Sequence, residues 1–270
     1  MATSSFPPVI QSIFEEFIPI CRQIAGDQRY AISVGGSLGK GTWDSRSDID
    51  FRLFTDGEVQ RQTHRPELWA DCSAAIERWK ERGIHIDGVW LRTVGEIDAA
   101  LDGWLSGEVK PVDLVWTIWG YHILTDINNQ FVIEDPYHII AAWKERLSIY
   151  PPALKQAILR KYAASLRYWR SDYHYAHKVE RGDVVFLAGM TSKLVHEIIQ
   201  ILFALNETYF AGDGAALGFI EKFKLAPADF SARVRDILYP GSPGGSSDAF
   251  TGQYAALTRL IDEVLSLADL

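Results

Sequence analysis

Cysteine is scarce in this chain. Only Cys21 and Cys72 occur in 270 residues, too few for a disulfide framework and too far apart for a close-spaced zinc or redox pair, so a reducing compartment, the cytoplasm, is expected. Positive charge is also in deficit: 27 Lys and Arg stand against 35 Asp and Glu, for a net charge of -8. A nucleic-acid backbone is therefore not the expected main partner, because such binding neutralises several phosphates at once. No apolar run approaches the ~18 uninterrupted residues of a membrane span, and Phe6-Pro7-Pro8 is not preceded by a basic segment leading into an apolar one. Neither membrane spanning nor secretion is expected. No internal repeat is evident.

The remaining composition is that of an ordinary globular protein, 47% hydrophobic and 23% charged. Domains usually hold about 100–200 residues, so two are expected. Val9 to Ile24 carries Ile10, Ile13, Phe14, Phe17, Ile20, Cys21 and Ile24 at helical spacing, with Pro19 expected to kink or split the helix and Gly26 to end it. Tyr30–Val34 reads as a buried strand, and Ile49–Phe54 as a second. Pro66–Arg82 is a helix with Leu68, Trp69, Cys72, Ala75, Ile76 and Trp79 on one stripe, stopped by Gly83. A strand from Ile84 to Arg92 follows, then a short helix at Glu96–Leu105. Tyr121–Leu124 and Phe131–Ile133 read as strands around Asn128-Asn129.

After Asp135-Pro136 the patterns become helical, at Ile139–Leu147, Ala153–Tyr175, Val184–Tyr209 and Thr251–Ala268. That half reads as a helical bundle. The expected division is thus residues 1–136 and 137–270, with Pro240 to Ser247 a mobile loop before the last helix.

The chemistry is concentrated in Val34-Gly35-Gly36-Ser37-Leu38-Gly39-Lys40-Gly41 and the following Ser47-Asp48-Ile49-Asp50-Phe51. On a strand, residues i and i+2 share a face, so Asp48 and Asp50 stand about 6–7 Å apart on one side. Two such carboxylates can share one or two hard divalent cations, which also bridge substrate phosphates. The glycines let backbone N–H groups approach a phosphate, while Ser37 adds a hydroxyl and Lys40 a positive charge. A Walker A loop does not fit: three residues, not four, separate Gly35 from Gly39, and Gly41 follows Lys40 where Ser or Thr is required. A dinucleotide fingerprint does not fit either.

The segment Gly36-Ser37-Leu38-Gly39-Lys40 with Ser47-Asp48-Ile49-Asp50 resembles the signature of the polymerase β nucleotidyltransferase superfamily, and most resembles the kanamycin nucleotidyltransferase group. One member of that group carries Arg where Lys40 stands and Glu where Asp50 stands. The resemblance implies an α+β fold: an N-terminal nucleotidyltransferase domain with a mixed sheet flanked by helices, and a C-terminal helical substrate-binding domain. It implies a third metal acid on a later strand, for which Asp87 in Ile86-Asp87-Gly88-Val89-Trp90 is placed on the side it would share with His85 and Val89. Asp48, Asp50 and Asp87 are then the catalytic and Mg²⁺-binding residues, and Gly36, Ser37, Lys40 and Ser47 the nucleotide-binding ones, to which the position of Lys193 on an apolar helix adds it as a further nucleotide-binding candidate.

The implied reaction passes a nucleoside monophosphate, AMP from ATP, to a hydroxyl of a small molecule such as an aminoglycoside or lincosamide, and releases pyrophosphate. The general base of related enzymes falls on Ala164, which leaves Asp87 or the metal alone for that task. A protein or RNA acceptor, and an idle nucleotide-binding sensor, are the alternatives. The resemblance allows a monomer or a homodimer.

Among other features, Lys193 lies within the apolar helix 184–209, and is either a phosphate ligand or a snorkelling side chain. Residues 155–181 are locally basic, a face for a triphosphate or simply for solvent. His174 and His177 have metal-ligand spacing but no third ligand nearby. Asn206 and Tyr209 could meet an acceptor, and Trp43 and Trp90 could stack on a base.

Overall fold

Four strands, β1 (Tyr30–Val34), β2 (Ile49–Thr55), β3 (Ile86–Thr93) and β4 (Phe131–Glu134), form one mixed sheet in the order β3-β2-β1-β4. β1 is antiparallel to both β2 and β4, whereas β2 and β3 run parallel. The structure, a computed structural model, describes residues 6–59, 66–239 and 247–269. The stretch read as a mobile loop, residues 240–247, lies outside these but for its last residue. The chain divides into two compact units, Met1–Asp102 with Ile123–Ile149, and Gly103–His122 with Tyr150–Leu270.

In the first unit, α1 (Pro8–Ala25) buries Ile10, Ile13, Phe14, Phe17, Ile20, Cys21 and Ile24, the stripe that the periodicity marks. These pack with Cys72, Ala75 and Trp79 of α3 (Ala70–Glu81) on one face of the sheet, against Ile32, Val34, Ile49, Phe51 and Leu53. Phe17 stacks on Phe51 at 4.6 Å between ring centroids, and neither ring is exposed. Burying one such ring stabilises by about 1.5–3 kcal/mol. Pro19 does not split α1, which runs through it without interruption. Both Pro19 and Glu15, whose carbonyl loses its partner, are exposed, so water replaces the missing bond.

Between β1 and β2 the glycine-rich segment forms a single helical turn, α2 (Gly36–Lys40). A 3₁₀ turn at Pro66–Trp69 leads into α3, and α4 (Val94–Leu105) follows β3. The strand expected at Tyr121–Leu124 is instead mostly the start of α5 (Ile123–Asn129), with Tyr121 making only an isolated bridge to Val112. Helical spacing wins there because it buries Ile123, Leu124 and Ile127 together. Asn128 and Asn129 then close a helix rather than a hairpin. α6 (Ile139–Arg146) packs on α5 and β1, and its Trp143 meets Phe54 edge-on at 4.9 Å on the sheet's second face.

The parallel pairing of β2 and β3 carries an irregularity that bears on chemistry. Ile49 pairs with Ile86, but Asp50 pairs with Gly88, so Asp87 is an extra residue in the ladder. The alternation expected from sequence, Asp87 with Val89, is therefore not kept. Ile86 and Val89 both pack on the helical core, three positions apart, and Gly88 accommodates the step with φ +99°.

The second unit is helical: α7 (Pro152–Ser171), α8 (Tyr173–Arg181), α9 (Val184–Leu205), α10 (Ala216–Ile220), α11 (Phe230–Leu238) and α12 (Ser247–Leu267). The long helix expected over Ala153–Tyr175 breaks at Asp172, whose carboxylate caps α8 by accepting from the N–H groups of His174 and Tyr175. α9 is long and apolar enough to cross a membrane by length and composition. It packs against α7, α11 and α12 and buries Thr191, His196, Glu197 and Gln200, as a bundle's central helix does.

Candidate active site

The glycine turn is built by close packing. Gly35 donates its N–H to the Asp50 carbonyl at 3.0 Å, tying the turn to β2. Gly36 adopts φ +58°, and a Cβ there would overlap the Asp50 carboxylate. A Cβ on Gly35 would come within 2.6 Å of Asp126 Oδ1 and 2.9 Å of Arg52 Nη2, and one on Gly39 within 2.7 Å of the Asn129 carbonyl oxygen. Three glycines are thus required by contact and not merely by flexibility. Ser37 Oγ is buried with no hydrogen-bond partner among the described residues, an uncompensated donor within the turn. Lys40 ends α2, and Gly41 turns the chain away in the left-handed region.

The acids converge beside this turn. Asp48, Asp50 and Asp87 each offer an oxygen, and these lie within 4.8 Å of one another. Asp48 is delivered by a tight turn in which Asp44 Oδ1 accepts from the Arg46 N–H at 2.9 Å and from the Ser47 hydroxyl at 3.2 Å. Ser47, expected at the nucleotide, has its hydroxyl engaged inside that turn, where it also accepts from the Asp44 N–H. Asp87 reaches the group through the bulge in β3. Burial pushes the Asp50 carboxyl above the ordinary range, with Arg52 opposing and Asp48 and Asp87 adding to the rise. Asp87 is raised by desolvation and by the neighbouring Asp48. Close carboxylates that resist ionising together suit a divalent cation, whose charge removes the conflict.

Two residues that sequence reading did not single out complete the surroundings. Arg52 is 8% exposed, and its Nε donates to Asp126 Oδ2 at 3.0 Å. Its Nη1 lies 3.8 Å from Asp50 Oδ1 and donates to the Phe51 carbonyl at 3.3 Å. The guanidinium also sits 4.6 Å from the centre of the Trp90 ring, which Arg92 approaches equally closely. Trp90 therefore packs against guanidinium groups, and Trp43 packs on the core. The i+2 spacing from Asp50 marks Arg52 as sharing its face; no local pattern marks Asp126.

The remaining sequence candidates belong to the second unit. Lys193 pairs with Glu197 at 2.8 Å, approaches Ser165 Oγ at 3.2 Å and lies 5.8 Å from the Trp169 ring centre. Of the basic residues along 155–181, Lys155 pairs with Glu207, Arg170 with Asp262 and Lys178 with Asp183, while Lys161 donates to the Val109 carbonyl. Asn206 bridges to the backbone of Leu225 at both ends of its amide. Tyr209 stacks on Tyr150 at 4.9 Å. His174 and His177 both pack against Tyr173, and among the described residues neither joins a metal-ligating group.

A phosphate-scale turn beside three convergent acids fits a divalent cation and a polyphosphate. Comparison with known proteins agrees with that chemistry. The family described as "Nucleotidyltransferase domain" matches residues 14–149, half of the chain, and a "Domain of unknown function (DUF4037)" matches residues 116–212. A solved structure, that of a nucleotidyltransferase-like protein from Exiguobacterium sibiricum 255-15, aligns over 96% of this chain and 76% of that chain at 8% identity and a TM-score of 0.43, too slight a likeness to add to the argument. No curated protein matches the chain. With its glycine turn and converging acids inside the matched residues, this chain belongs to the nucleotidyltransferase domain family and is a transferase of nucleotidyl groups.

Proposed function

We propose that this chain is a Mg²⁺-dependent nucleotidyltransferase of the polymerase β type, in the manner of the kanamycin nucleotidyltransferase group, transferring AMP from ATP to a hydroxyl of a small molecule. The observation that carries the reading is the approach of three acid oxygens to within 4.8 Å beside a turn that has no room for a side chain at Gly36. When bound, Mg²⁺, as one ion or two, supplies neutralisation of phosphate charge and favours ionisation of the acceptor hydroxyl.

Asp48, Asp50 and Asp87 would hold the cation. The backbone of Gly36 and Ser37, the Ser37 hydroxyl and Lys40 hold the triphosphate tail. Asp87 accepts the acceptor's proton as the acceptor oxygen bonds to the α-phosphorus and the bond to pyrophosphate breaks. Ser47 fixes the turn that delivers Asp48, and Lys193, on the helical half expected over residues 137–270, is a candidate phosphate ligand. The two cysteines are free and buried, in keeping with a cytoplasmic setting.

The test is pyrophosphate release from ATP and Mg²⁺ in the presence of kanamycin, streptomycin, lincomycin or total RNA. Release with a drug alone supports a small-molecule acceptor. Release only with RNA or added protein moves the activity to a macromolecule, and nucleotide binding without release under any condition makes the chain a sensor.

A further inference from the structure

We propose that Arg52, clamped by Asp126, is the positioning residue of this site, holding Asp50 and the glycine turn at a fixed spacing; the role rests on the nucleotidyl-transfer reading. A buried ion pair contributes little net stability, because desolvating two charges offsets most of their attraction. Yet the Arg52 and Asp126 side chains are 9% and 8% exposed. Such a pair calls for a reason other than stability, and its contacts supply one.

The guanidinium touches both halves of the site at once. Arg52 stands two residues beyond Asp50 on β2, so the two side chains leave the same face. Toward the acid, Nη1 lies 3.8 Å from Asp50 Oδ1. That is beyond hydrogen-bond reach, so the charge restrains the carboxylate without occupying the oxygen that a cation needs. Toward the turn, Arg52 Nη2 and Asp126 Oδ1 together form the floor beneath Gly35, close enough to exclude a Cβ. The Nε bond to Asp126, the Nη1 bond to the Phe51 carbonyl and the Trp90 ring fix the fork's plane and rotation. A lysine carries the charge but has no planar fork to hold.

The experiment measures Mn²⁺ binding by electron paramagnetic resonance, with and without ATP, alongside kcat, KM for ATP and thermal unfolding, in wild type, Arg52→Met, Arg52→Lys and Asp126→Asn. Arg52→Met is expected to weaken Mn²⁺ binding about 10–100-fold, as loss of a residue that orients metal ligands does. It should lower kcat with a smaller effect on KM. Arg52→Lys should recover the loss only in part, and Asp126→Asn should move Mn²⁺ affinity in the same direction, which serves if Arg52→Met does not fold.

Reduced thermal stability with wild-type Mn²⁺ affinity and kcat, in either Arg52→Met or Asp126→Asn, would make the pair structural and overturn the proposal. Wild-type protein that binds Mn²⁺ and ATP but releases no pyrophosphate with any acceptor sinks the transfer reading instead, while a Mn²⁺ defect in the variants still supports the positioning role. Wild-type protein that binds no Mn²⁺ overturns both.

Discussion

Gly36 and Asp50 meet with nothing between them: the glycine's missing side chain is the space that the carboxylate occupies. The glycine turn and the acid are therefore one packed unit, and a change to either moves the other. Gly36→Ala places a methyl group into Asp50 and adds about 1–2 kcal/mol of left-handed backbone strain. Activity should fall roughly 100-fold, the scale of a displacement near 1 Å, with far-UV circular dichroism unchanged. Pyrophosphate release near the wild-type rate would refute this packing argument.

Removing the acids separates their tasks. Asp48→Asn and Asp50→Asn should each reduce turnover by about a thousandfold or more, since each removes a ligand of the cation that would stabilise the reacting phosphate. Asp87→Asn should be as damaging. If Asp87→Asn leaves turnover nearly intact while the other two eliminate it, Asp87 is not the base.

Much of this was legible in the sequence because it is local. The glycine turn and the Asp48, Asp50 pair lie within one short segment, though Asp48 stands just before β2 and its convergence comes from the preceding turn rather than from strand alternation. The α1 stripe was equally readable, since a period of 3.6 needs no partner to be recognised. Asp87 could be named only as a likeness, and its geometry not at all, because it depends on a bulge that the β2–β3 pairing creates. Arg52 was marked by no sequence pattern beyond its i+2 spacing from Asp50. Its partner Asp126 comes from a helix 74 positions away that sequence reading placed at a strand and turn. Long-range pairing was what periodicity could not supply.

Two buried histidines predict a pH response of the helical unit. His196 stacks on Trp119 at 4.4 Å, and His122 lies among Trp104 and Phe210. Burial pushes His122 down to about 4 and His196 down to about 3. An unfolded histidine titrates near 6.5, so between that pH and 3 the unfolded chain binds more protons than the folded one. Stability is thus fully present above about pH 6.5 and falls as acid is added. Urea midpoints measured from pH 7 to pH 4 should decline, less steeply in His196→Phe, which keeps the ring stack. A flat profile in wild type contradicts this account.

The stacked pair Phe17 and Phe51 sets the stability of the catalytic unit. Phe17→Ala leaves a cavity against a fully buried ring and should cost about 3–5 kcal/mol in denaturant unfolding. A loss below about 1 kcal/mol would show that the core refills the gap.

The parallel arrangement of β2 and β3 has a consequence for the order of assembly. β1 and β2 are antiparallel neighbours in sequence, a local pairing expected to form early, whereas β3 needs the crossover through α3 and is expected to join later. Contact order predicts that the third carboxylate is the last of the three to arrive. Pulse-labelled amide exchange should show protection in β1 and β2 before β3.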